Sequence, residues 1–196
     1  MHLSYDKLIA QIDIGTFLKR LSDIYSSMDL KYSKAAAIYG FNCTGCEDNC
    51  CLTRFHHHTV LEYLYILEGF NHLETERQIK IKARALKVRQ KSIEADRKGT
   101  RLRQMCPLNS AGKCILYSCR PMICRLHGIP HELHTPGRDI ISQPGCEAFS
   151  NQFGENDYHR FDRTPFYIEI ASVEKDLKKA AGISTKIKMT IADMLE

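Results

Sequence analysis

Eight of this chain's nine cysteines crowd into two blocks, and that placement constrains it more than any other feature. The nine are Cys43, Cys46, Cys50, Cys51, Cys106, Cys114, Cys119, Cys124 and Cys146. An odd number cannot pair off internally as disulfides. No leader is expected ahead of them, because Asp6 and Asp13 interrupt the apolar block that a signal peptide requires. The expected compartment is therefore the reducing cytoplasm, where clustered thiols usually bind metal. Four of the nine fall at positions 43–51 and four more at 106–124, each block rich in Gly, Pro, Asn or Asp. Such segments wrap an object rather than form a helix or strand.

Around these blocks the sequence reads as helical. Residues 4–29 carry Leu8, Phe17, Leu21, Ile24 and Met28 at helical spacing, with Ser4 as a candidate cap. Residues 59–70 are apolar on most sides, and their Tyr63 and Tyr65 read as core. Residues 73–103 predict one long helix ending near Gly99. It carries two stripes, Ile79, Ala83, Leu86 and Ile93 beside Ile81, Ala85 and Val88. Between 106 and 161, Gly and Pro recur too often for long elements, leaving room for a short strand near 115–117. Thr164 and Pro165 start a helix through Ile170, Val173 and Leu177 to about Ala181, and a short terminal helix covers 187–195. The expected fold is mainly α, a single domain over 1–196. A helical scaffold surrounds a cysteine-rich, loop-rich metal-binding core at about 40–150, with little or no sheet. The 196 residues suffice for a core without covalent staples. No apolar run reaches the length of roughly 20 residues that a membrane helix needs.

In the first block, the Cys43 and Cys46 pair lets two thiolates chelate one ion, with Gly45 permitting the turn. Cys50 can bring a third thiolate round. The neighbours Cys50 and Cys51 point different ways, which suits a multi-metal cluster or two centres. In the second block, Pro107, Pro121 and Pro144 stiffen the approach of Cys106, Cys124 and Cys146. Thiolates suit zinc and iron–sulfur clusters alike, and the spacing differs from the bacterial ferredoxin run. Iron versus zinc stays open at this point, with the vicinal pair favouring iron–sulfur.

The pattern resembles the CxxCxxxCC cysteine-cluster family, described as a zinc- or iron-chelating domain. The first block, residues 43–51, matches completely. The second matches through Cys106, Pro107, Leu108, Gly112, Cys114, Ile115, Arg120, Pro121, Cys124 and Arg125. Leu116 stands where the family has Tyr, so Tyr117 is displaced by one position. The resemblance implies a ligand pool of Cys43, Cys46, Cys50, Cys51, Cys106, Cys114, Cys124 and Cys146, without Cys119. It implies a [4Fe–4S] cluster or zinc as cofactor. Similar clusters occur in flagellin lysine-methylating enzymes, which adds redox or group-transfer chemistry to the expectations. A structural zinc module and an iron or zinc carrier are the alternatives.

Residues 77–103 hold eleven Lys and Arg against two acidic residues, a net +9 in a chain of net +5. An acidic partner fits this helix better than nucleic acid, because no aromatic interleaving or reading motif accompanies the charge. Arg101 and Arg103 stand close enough to Cys106 in sequence to offset thiolate charge. Of His56, His57 and His58, not all can face one site. His127 follows Cys124 closely, whereas His131 and His134 form only a weak pattern. No phosphate loop, nucleophile elbow or HExxH motif is present.

Overall fold

The computed structural model describes residues 12–42, 50–153 and 158–196. Cys43, Cys46 and the Ser4 cap lie outside the described residues, as do Leu8 and the start expected at residue 4. The first described helix, α1 (Ile14–Tyr39), begins after Asp13, whose carboxylate caps it by accepting from the Thr16 N–H. Helix α1 runs ten residues past the end expected at 29. Its apolar period lapses there, with Leu30 and Ile38 exposed, but no breaker intervenes until Gly40. Gly40 adopts φ 69°, the left-handed conformation that closes a helix without Cβ strain.

Helix α2 (Val60–Asn71) follows the Thr59 cap, whose hydroxyl accepts from the Glu62 N–H. Helix α3 (Thr75–Lys98) ends at Gly99, in the left-handed region at φ 64°. The helix thus ends at the expected Gly99, and residues 99–103 lie beyond it. Two two-residue strands, β1 (Asn109–Ser110) and β2 (Lys113–Cys114), pair antiparallel across Ala111 and Gly112. Both turn residues have positive φ, 49° and 81°, the geometry of a tight hairpin that keeps the strand twist. The strand thus lies just before the expected 115–117, and Tyr117–Cys119 is a 3₁₀ turn instead. Next come α4 (Met122–Arg125), the antiparallel pair β3 (His131–Leu133) and β4 (Ile141–Gln143), and α5 (Glu147–Gln152).

Helix α6 (Thr164–Ala180) buries Phe166, Ile170, Val173 and Leu177. Thr164 is its first residue rather than its cap, and its N–H is taken by the Asp162 carboxylate. Helix α7 (Ile191–Met194) is closed by a capping box between Thr190 and Asp193. The fold is mainly α with two small sheets, as expected. Among the described residues no helix is long and apolar enough to cross a membrane.

Two hydrophobic clusters form the interior. One packs α1, the first half of α2, α4 and α6. The other packs the second half of α2 with α3, α7, Leu108 and Leu116. Helix α2 is their shared wall. A buried carboxylate fixes it: Glu174 of α6 accepts the N–H groups of Val60 at 2.9 Å and Leu61 at 2.8 Å. That places a negative charge on the positive end of the α2 dipole. Of the two stripes on α3, the one through Ile81 and Ala85 is buried, each at 0% exposure. The other faces solvent.

Candidate metal centre

Backbone pairing draws the two cysteine blocks together. The Cys106 N–H donates to the Cys51 carbonyl at 2.8 Å, so the end of the first block lies against the start of the second. The β1–β2 hairpin then turns the chain back and sets Cys114 opposite Asn109. Helix α4 carries Cys124 and is held by Glu62 of α2, which accepts the Met122 N–H at 2.8 Å. The same carboxylate accepts the Tyr25 hydroxyl at 3.0 Å and the Thr59 hydroxyl at 2.7 Å. Cys146 enters by donating its N–H to the Gly128 carbonyl at 2.7 Å.

These connections put Cys50, Cys51, Cys106, Cys114, Cys124 and Cys146 on the wall of one cavity of about 1110 Å³. Asn42, the residue before Cys43, lies on the same wall. No disulfide joins the seven described cysteines to one another. Cys119 does not line the cavity. It packs on α2 so tightly that a Cβ at Gly69 would fall 2.4 Å from its Sγ.

Five of the thiols, Cys51, Cys106, Cys114, Cys119 and Cys124, interact electrostatically, Cys119 through Cys114 alone. Burial, joined by the nearby sulfurs of Cys51 and Cys114, pushes the Cys106 thiol up to about 12. Burial pushes Cys114 up to about 11. Cys124 is held well above the usual range, by burial first and then by Cys106, Cys114 and Cys51. Cys51 goes the other way, down to about 6, because the Cys50 thiol hydrogen-bonds to it, with help from the Asn109 amide and the Arg120 charge. The set thus holds one ready thiolate beside three thiols that resist ionisation. A cation placed among them would reverse that resistance and release protons.

Two arginines have distinct parts. Arg120 lies over the Tyr117 ring at 3.5 Å and donates to the Tyr117 carbonyl at 3.0 Å. Its charge acts on Cys51, Cys114 and Cys124. Arg125 is a strut: it donates to the Arg120 and Ser118 carbonyls, pairs with Asp29 of α1, and covers the Tyr25 ring at 4.0 Å. Arg101 and Arg103, expected beside the thiols, line a neighbouring cavity of about 390 Å³.

His57 alone of the three consecutive histidines is buried. It lines the large cavity, and its Nε2 has no hydrogen-bond partner among the described residues. His127 lines both cavities, its ring edge-on to Phe55. His131 and His134 line neither, and His134 pairs with Glu132 at 2.9 Å. Sequence reasoning missed Glu62 and Asn109, which act at the site through partners distant in sequence. The turn signal at Ala111 and Gly112 was the one local hint that Asn109 would face Cys114.

The donor set fits a soft, thiolate-binding centre in its chemistry. As the side chains stand, no three Cys, His, Asp or Glu among the described residues close to the spacing of a metal site. Cys43 and Cys46 are outside that set. Comparison with protein-family models, curated proteins and solved structures finds no match for this chain.

Proposed function

We propose that this protein holds a cysteine-ligated metal centre, an iron–sulfur cluster, in the thiol-lined cavity. One observation carries the reading: Cys51, Cys106, Cys114 and Cys124, drawn from separate segments, line the wall of a single cavity that Cys119 does not reach. Buried thiols that repel one another's ionisation serve no packing purpose that smaller apolar residues would not serve as well. Those four would hold the centre. Cys50 and Cys146 share the wall, and Cys43 and Cys46 complete the pool of eight. The completed match of residues 43–51 to the CxxCxxxCC pattern supports the same reading. Arg120 would offset the negative charge of a thiolate-ligated cluster. Seven cysteines with no disulfide among them suit a reducing, cytoplasmic compartment.

An iron–sulfur cluster supplies electron transfer or an iron site for substrate. The cavity, about 1110 Å³, leaves space beside a centre for a small molecule, which favours redox or group-transfer chemistry over a purely structural role. Zinc is the second reading, because four buried thiols also meet the needs of one structural zinc. The deciding measurement is iron, zinc and acid-labile sulfide on protein purified without oxygen or added metal. Iron with sulfide and a brown absorption band supports the cluster. Stoichiometric zinc in colourless protein supports the second reading. Protein that is folded and takes up neither overturns both.

A further inference from the structure

Helix α3 is apolar on two opposite sides. Ile81 and Ala85 point into the core, while Ile79, Leu86 and Ile93 are 63%, 43% and 47% exposed. These three recur at seven-residue steps, two helical turns each, so they form one narrow seam along the helix. Ala83 lies exposed between Ile79 and Leu86. Large β-branched and leucine side chains at this spacing are what a helix presents to another helix. Among the described residues no helix packs on them.

The charges beside the seam set the partner's sign. Lys80 and Lys98 are neutralised by Glu76 and Glu94 on the same helix, and Arg89 pairs with Asp193 and Glu196. Lys82, Lys87 and Arg97 are exposed and form no ion pair among the described residues. Lys82 lies three residues from Ile79 and four from Leu86, and Arg97 four from Ile93, so both border the seam.

From the seam and its cationic border we infer that α3 is a docking surface for an acidic amphipathic helix of another protein. A second copy of the chain fits poorly, since apposed α3 helices would bring Lys82, Lys87 and Arg97 together. An anionic membrane surface fits poorly too, since a helix lying in a bilayer needs a broad apolar face, and the exposed seam is narrow. The inference stands independently of the metal centre.

The test uses the full chain with its metal as purified. The probe is a synthetic, fluorescently labelled peptide of about four heptads, with Leu at a and d and Glu at e and g. Binding is followed by anisotropy, with a basic peptide of the same pattern as control. The acidic peptide should bind, more weakly as salt rises, and the basic one should not. Replacing the seam (Ile79→Ser, Leu86→Ser and Ile93→Ser together) should weaken binding roughly ten-fold or more. Reversing the border (Lys82→Glu with Arg97→Glu) should do the same, with thermal melting unchanged in this variant. Several results would overturn the inference. They are no binding by the wild-type chain, equal binding by both variants, seam-dependent dimers in sedimentation without peptide binding, or seam-dependent binding to phosphatidylserine vesicles without peptide binding.

Discussion

Gly69 of α2 and Cys119 make the sharpest stability prediction, because two opposing effects of known size meet there. A mid-helix Gly→Ala change ordinarily stabilises by about 1 kcal/mol, through the unfolded chain's lost freedom. At Gly69 the new methyl would stand 2.4 Å from Cys119 Sγ and 3.1 Å from its Cβ. The sulfur must move by more than an ångström, against a 3₁₀ turn fixed between Leu116 and Arg120. Overpacking of this kind costs roughly 1–3 kcal/mol, and the backing by backbone puts it in the upper half of that range. The expected net effect of Gly69→Ala is a loss of about 1–2 kcal/mol. In a Cys119→Ala background the sulfur is gone. Only the 3.1 Å contact with Cβ remains, which a shift of a few tenths of an ångström relieves. There Gly69→Ala should be neutral or stabilising, giving a coupling of about 2 kcal/mol in a double-mutant cycle. Urea unfolding of all four proteins at equal metal content measures it, through midpoints at constant m. A Gly69→Ala protein as stable as the parent, or a coupling below about 0.5 kcal/mol, would refute the packing role assigned to Cys119.

Other outcomes follow from the same structure. Cys46→Ser and Cys114→Ser should each lose bound metal while Cys119→Ser retains it, as read by elemental analysis of the purified proteins; equal loss in all three would break the proposed ligand pool. Glu62→Ala strands three donors, from Tyr25, Thr59 and Met122, and should cost about 3–5 kcal/mol in urea unfolding, with Glu62→Gln costing less. Removing the metal with a chelator should lower the melting temperature and expose thiols to a disulfide reagent, and an unchanged melt would show that the centre does not brace the fold. Burial and the Arg163 charge push His131 down to about 4, so the unfolded chain, with imidazole near about 6.5, binds more protons between those values. Its contribution is therefore complete above about pH 6.5 and lost as the pH falls towards 4; a His131→Gln protein should lose less stability between pH 7 and pH 5 than the parent.

Local signals placed most helices. Thr59 before an apolar run, Gly99 after a periodic one and Pro165 at a first turn mark boundaries that need no tertiary partner, and the structure keeps them within a few residues. Helix α1 was harder because its last ten residues turn Leu30 and Ile38 to solvent, which breaks the period without breaking the helix. The two stripes of α3 share one periodicity, and periodicity cannot say which is buried. The choice is made by what docks, and the cluster around Leu108, Leu116 and Ile191 takes the smaller stripe and leaves the larger exposed. At the site, thiol spacing pointed to chelation and the resemblance set Cys119 aside, but its packing against Gly69, fifty residues upstream, is a tertiary contact that no local signal carries. Glu62 was invisible for the same reason, since its carboxylate matters through Met122 and Tyr25 rather than through its neighbours in α2.

The two hydrophobic clusters meet along α2, and the thiols straddle that meeting line. Cys106 and Cys114 pack against one cluster, while Cys124 sits between Met122 and Leu126 of the other. An ion bound by all three is therefore a rivet through two plates. Any slide of one plate past the other along α2 stretches the distance from Cys124 to Cys106, so breathing of the fold and release of the ion become one motion. Exchange of an ion so held would keep time with hydrogen exchange in α2.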